Sequence, residues 1–182
     1  MGKTIRAATL ALLAVPAAPV LASAPAERLK SPVIAGYVVG FEASNAAQAI
    51  REEVPRGETV ERWTRMVTTQ RFTGLAARST PAAYARTIAS QLPQACPGAT
   101  VSPLVELMVS RRPAARFQVD CPRNATGQAE TFILLAIAGA SDIHVKQVAF
   151  RGQKSASDIA WARNYLAKTV LCRPRDPQVS CH

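Results

Sequence analysis

Thr131-Phe-Ile-Leu-Leu-Ala-Ile-Ala138 decides how this chain folds. After Thr131 it carries no polar side chain on either parity, so a strand built from it has no face suited to water. It predicts a central strand covered on both sides. The turn Gly139–Asp142 follows, and Ile143–Phe150 returns as a neighbouring strand with His144 and Lys146 on one face. Upstream, Val105, Leu107 and Val109 alternate with Glu106, Met108 and Ser110, and Phe117, Val119 and Cys121 alternate with Arg116, Gln118 and Asp120. With a turn at Arg112-Pro113, these two runs predict a hairpin with one wet face.

Further out the period changes. Thr80 suits an N-cap, Pro81 suits the first helical position, and Tyr84, Ile88 and Leu92 recur every fourth residue, which predicts a helix stopped by Pro93. A second helix is expected from Ala156 to about Leu171, opened by Ser155 with Asp158 three residues on, and burying Ile159, Ala162, Leu166 and Val170 beside Trp161 and Tyr165. Toward the N-terminus, Val33–Ala43 favours a strand, with Gly36 and Gly40 placed for a bulge or a close backbone approach. Asn45 turns the chain into Gln48–Val54, Pro55 and Gly57 end that strand, and Thr59–Phe72 reads as a third. The order is three strands, helix, four strands, helix. It predicts a single α+β domain over residues 27–182: an antiparallel sheet of about six to seven strands, packed by two main helices and stapled by disulfides.

Residues 1–26 read as a signal peptide. Lys3 and Arg6 precede an apolar run from Ala7 to Leu21, and Ala24-Pro25-Ala26 offers small residues for cleavage after Ala26. Pro16 interrupts a run shorter than a spanning helix needs, so no membrane segment is expected after cleavage, and the chain is expected to be periplasmic or secreted. Four cysteines in an exported chain read as disulfides rather than metal ligands. The short loop holding Pro174 and Pro177 favours Cys172 with Cys181, which leaves Cys96 with Cys121. Without Lys3 and Arg6, 20 basic residues stand against 12 acidic ones, a net charge of +8. A basic exported protein meets anionic partners, although an Arg-rich, Lys-poor composition also follows from a GC-rich genome. Asn124-Ala125-Thr126 reads as an ordinary turn.

Candidate chemistry is sparse. Of the two histidines, His182 is terminal and His144 reads as an ordinary strand side chain, and no G-x-S-x-G elbow accompanies them. Glu52, Glu53, Glu58 and Glu61 gather around the Pro55-Gly57 turn, where two facing carboxylates could act as acid and base on a glycosidic bond. No C-x-x-C pair or calcium loop suggests a metal, and no cofactor is expected. Arg111, Arg112, Arg116 and Arg123 flank one hairpin, where guanidinium forks suit phosphate or carboxylate groups. Export and few aromatics argue against nucleic acid.

The runs Gly57–Phe72 (GETVERWTRMVTTQRF) and Asp120–Phe132 (DCPRNATGQAETF), with the terminal C-x8-C, resemble a family of small exported proteobacterial proteins without an assigned activity. The strand and helix order is similar to the PsbP-type α/β/α sandwich, an exported accessory-protein fold. The resemblance transfers no functional residue. Together these readings lead to a non-enzymatic binding or accessory protein of the bacterial envelope that meets an anionic component or an envelope protein through its basic surface. An envelope hydrolase using the Glu52–Glu61 carboxylates and an inhibitor of a foreign hydrolase are the alternatives.

Overall fold

In the computed structural model, residues 27–152, 154–173 and 181 are described. The leader read over residues 1–26 lies outside them, as does His182. The strands are β1 (Arg28–Lys30), β2 (Tyr37–Ser44), β3 (Gln48–Pro55), β4 (Arg65–Phe72), β5 (Thr100–Val101), β6 (Val105–Val109), β7 (Arg112–Cys121), β8 (Glu130–Ala138), β9 (Ile143–Arg151) and β10 (Val170–Cys172). The helices are α1 (Pro81–Ala95) and α2 (Ala156–Ala167). All pairings are antiparallel, in an eight-stranded sheet ordered β2-β3-β4-β9-β8-β7-β5, with β6 also on β7, and a separate ribbon of β1 on β10.

Strand β8 lies inside the sheet and is covered on both faces, as its sequence requires. Ile133, Leu135 and Ile137 point toward α2 and pack with Ala162, Tyr165 and Leu166. Leu134 and Ala136 point the other way and pack with Ala82, Ala85 and Leu92 of α1. The result is an α/β/α sandwich. A smaller cluster of Val54, Trp63, Met66 and Ala149 fills the end of the sheet beneath residues 56–64, where the Arg151 guanidinium lies 4.1 Å from the Trp63 ring.

The helix signals hold locally. Thr80 accepts the Ala83 amide at 3.1 Å, and Ser155 and Asp158 form a reciprocal capping box. Several boundaries differ from expectation. Helix α1 runs past Pro93 to Ala95 because proline removes only one amide near the end, and the Cys96 amide still reaches the Leu92 carbonyl at 2.7 Å. Helix α2 ends at Ala167 rather than Leu171. Val170–Cys172 instead extends to pair with Arg28–Lys30, which adds the unexpected two-stranded ribbon and raises the strand count above six or seven. The first strand begins at Tyr37 rather than Val33, after a turn through Gly36 at φ 80°. The third begins at Arg65 rather than Thr59, because Thr59 and Arg62 close a turn on each other.

The hairpin turn between β6 and β7 is Ser110-Arg111, not Arg112-Pro113. Both residues adopt positive φ, 50° and 60°, the geometry that a tight two-residue hairpin needs. Pro113 is accommodated within β7 because pairing to β8 starts only at Ala114. The Ser110 hydroxyl accepts the Leu171 amide at 3.0 Å, so the turn is braced by β10. The expected irregularity in the first strand falls at Gly40, where the β2–β3 register shifts between Val39 and Phe41. A Cβ there would stand 3.0 Å from the Val60 side chain and 3.3 Å from that of Val54.

Both expected disulfides are formed, Cys96–Cys121 and Cys172–Cys181, closing separations of 25 and 9 residues. Chain entropy gives about 3.5 kcal/mol for the longer loop and about 2.6 for the shorter. Equilibrium urea unfolding should therefore rank C96A/C121A below C172A/C181A in stability, with both below the parent. A Gly40→Ala variant should lose about 1 kcal/mol or more through the crowding at Val60.

Candidate functional site

The two helices do not cover the whole sheet. On the α2 side, the half built from β2, β3, β4 and β9 is roofed instead by β1 and the segment Ser31–Ile34, and its floor is polar. Register explains the floor. Glu42 pairs with Arg51, Arg51 with Thr69 and Thr69 with Lys146, so these side chains stand on one face at one level, with Arg71 opposite His144 one pleat away on the same face. Glu53 joins them one pleat along β3, opposite Val67.

Lys146 is 4 % exposed, a position that an ammonium group rarely occupies without partners. Its Nζ donates to Thr69 Oγ1 at 2.7 Å, lies 3.9 Å from Glu53 Oε2, and sits 5.7 Å from the centre of the Tyr165 ring. Burial pushes its pKa down to about 8, against the pull of Glu53 and with a further push from Arg51. Arg51 donates to Glu42 at 3.3 Å and to Glu53 at 3.4 Å, so Glu53 is shared between two cations. Tyr165, which stacks on Trp161 at 5.5 Å, has its hydroxyl pushed up to about 12 by burial.

Arg51, Glu53, Thr69, Lys146 and Tyr165 line a cavity of about 370 Å³ together with Leu29, Ile34 and Tyr37. Arg28 stands at its edge and donates to the Cys181 carbonyl at 3.0 Å. A wider, open groove of about 1150 Å³ continues past Arg51 and Thr69 to Arg71 and His144. His144 is 3 % exposed, its Nε2 has no hydrogen-bond partner, and burial lowers its pKa while Asp142 and Glu27 pull it upward. Glu27 holds the groove's far wall. Its carboxylate lies 3.2 Å from Arg112 and 3.1 Å from Arg173, and it accepts the Ala140 amide at 2.5 Å.

The arginines singled out in the sequence lie along one strand rather than in one fork. Arg111 and Arg112 sit at the β6–β7 turn, Arg116 is half-buried mid-strand on the α2 side, and Arg123 follows the far end of β7. At ~3.3 Å per residue, Arg112 and Arg123 stand on the order of 35 Å apart. Arg112 is engaged with Glu27. The glutamates diverge as well. Glu52 and Glu53 are consecutive in β3 and point to opposite faces, with burial raising the Glu52 pKa. Glu58 accepts the Thr64 amide and hydroxyl, both at 2.7 Å, and Glu61 is exposed.

Sequence reasoning placed His144 and Lys146 on one face but missed their burial. A signal was present: Lys146 shares its parity with Val148 and Phe150, both core residues against α2. A lysine in phase with the buried side of its own strand is either paired or waiting for a partner.

No family model matches the chain, and no curated protein matches it. Solved structures do. The solution structure of cyanobacterial PsbP (CyanoP) from Synechocystis sp. PCC 6803 aligns over 86 % of this chain and 98 % of its own, at 6 % identity and a TM-score of 0.50. The Saccharomyces cerevisiae Ran-binding protein Mog1p aligns over 80 % and 94 %, at 9 % identity and 0.46. LpqN, involved in cell envelope biogenesis of Mycobacterium tuberculosis, aligns over 82 % and 86 %, at 12 % identity and 0.43. The CyanoP likeness is one of fold alone, and it agrees with the sandwich read from the strand order.

Two stability measurements follow. Replacing the buried ammonium with an apolar chain of similar length, Lys146→Met, should raise stability by on the order of 1–3 kcal/mol at pH 7 in urea unfolding. His144 titrates more readily unfolded than folded, because its folded pKa lies below the ordinary 6.5. Its contribution is therefore present above pH ~6.5 and lost as the pH falls further. His144→Leu should flatten that part of the pH–stability curve between pH ~7 and ~5.

Proposed function

We propose that this chain is an exported binding or accessory protein of the bacterial envelope, related to the small exported proteobacterial proteins that its sequence resembles. In this reading residues 1–26 are a signal peptide, and residues 27–182 work in the periplasm or outside the cell without catalysing a reaction. The observation that carries it is the pair of disulfides, which uses all four cysteines and leaves none free. Such staples persist in an oxidising compartment and are reduced in a cytoplasm. The second support is charge. An excess of eight basic residues over residues 27–182 draws the protein toward anionic surfaces. Arg111 and Arg123 are exposed at opposite ends of β7, with Arg116 half-buried between them, so the proposed contact is an extended basic stripe rather than one anion fork. Such a stripe suits a polyanionic surface or an acidic protein face. No helix among the described residues is long and apolar enough to cross a membrane.

Co-sedimentation of oxidised residues 27–182 with cell-wall sacculi and outer-membrane vesicles, across a salt series, tests this reading. Binding should weaken steadily with salt and release no sugar product. R111A/R116A/R123A should shift the half-binding salt concentration downward. Released glycan fragments would replace the reading with a hydrolase, and binding indifferent to salt would remove the basic stripe from it.

A further inference from the structure

We propose that the cavity beneath β1 is a binding site for a small organic anion: a carboxylate or phosphate ester with an apolar body. The site is independent of the outer basic stripe, so it goes beyond the envelope reading.

The argument starts from the buried ammonium. A lysine Nζ has three N–H donors and no acceptor. Lys146 places one on the neutral Thr69 hydroxyl, and its carboxylate neighbour Glu53 stands at 3.9 Å, beyond hydrogen-bond reach. Glu53 is also claimed by Arg51 at 3.4 Å. Among the described residues that line the cavity, Arg28, Arg51 and Lys146 stand beside one carboxylate, Glu53, and Arg51 is also held by Glu42 at 3.3 Å from outside it. Apolar packing alone would favour a methionine or leucine at position 146, opposite Leu135 and in phase with Val148. A charge kept at that cost, beside an open volume, is arranged for an acceptor that enters from outside.

The walls set the size and character of that acceptor. A volume of about 370 Å³ lies at the small end of ligand sites. Leu29, Ile34, Tyr37 and Tyr165 supply apolar and aromatic surface, while Lys146 and Arg51 lie together on the floor. A ligand would put its oxyanion on those two cations and its body against the rings and the β1 segment. Charge-assisted hydrogen bonds from a lysine and an arginine in a partly dry site are the strong kind, and they reward an oxyanion over its neutral isostere.

The test titrates phenyl phosphate, benzoate, inorganic phosphate and uncharged benzyl alcohol into oxidised residues 27–182, followed by amide chemical shifts. Phenyl phosphate or benzoate at millimolar concentration should shift Leu29, Thr69 and Lys146 saturably, with benzyl alcohol and inorganic phosphate at least about tenfold weaker. Lys146→Met should keep the folded spectrum, raise the unfolding midpoint and weaken the aromatic anion at least about tenfold. Thr69→Val, which removes only the neutral partner, should weaken it less. The proposal is overturned by any of three results: no saturable shift with either aromatic anion, equal binding of benzyl alcohol, or unchanged affinity in Lys146→Met. The two readings fail separately. Loss of sacculus and vesicle binding with phenyl phosphate binding intact removes the envelope role, and the reverse removes this site.

Discussion

Strand β8 has nowhere to put water. Its odd-numbered side chains from Ile133 to Ile137 and its even-numbered ones, Leu134 and Ala136, are all buried, so both sides of the sheet must be covered where it passes. That one constraint places α1 on one face and α2 on the other. It also fixes which strands stand beside it, since β7 and β9 inherit the covered positions and carry Ala115, Phe117, Val119, Ile143, Val145 and Val148 into the same two layers. The strands farther along the sheet, β2 and β3, escape the helices. There polar residues return, and there the fold has room for a cavity.

The polar floor is a consequence of pairing. Because β2, β3, β4 and β9 are locked in register by antiparallel ladders, Glu42, Arg51, Thr69 and Lys146 arrive side by side although they are scattered over a hundred residues of sequence. The cost falls on Lys146, which is desolvated by Tyr165 of α2 and by the β1 segment above it. Buried, desolvated charges of this kind are concentrated at functional sites, although structural ion-pair networks hold them too. Arg65 shows the contrasting, structural use of a cation on the same face: it lies 4.3 Å from the Trp161 ring and 2.5 Å from Asp158, closing the start of α2 onto the sheet.

The features legible in the sequence were those carried by local chemistry. The doubly apolar run of β8, the Thr80 and Ser155 caps, the Asn45 turn and the capacity of Gly40 for a bulge each announce themselves within a few residues. The features that were not legible depend on distant partners. Three residues such as Val170–Cys172 have no periodicity of their own, and they become a strand only because Arg28–Lys30 lies alongside. Ser110-Arg111 has neither the Gly nor the Asn expected of its turn, and it holds that geometry with help from a backbone amide sixty-one residues away. The arginines of β7 could be named from the sequence, but not spread out along the strand. The cavity was invisible for a related reason: its roof at residues 28–34, its floor at Arg51, Thr69 and Lys146 and its wall at Tyr165 meet only through long-range pairing and packing.

The β1–β10 ribbon also sets how the molecule would answer a mechanical load. Arg28 pairs with Cys172 and Lys30 with Val170, so the two ends of the ribbon nearest the chain termini lie side by side. Tension applied between Glu27 and Arg173 would therefore peel the ladder bond by bond rather than shear it as a block. The Glu27–Arg173 ion pair stands at the start of that tear. A protein strung between two anchors by its ends would yield first at this ribbon, laying open the roof of the cavity while the sandwich behind it stayed intact.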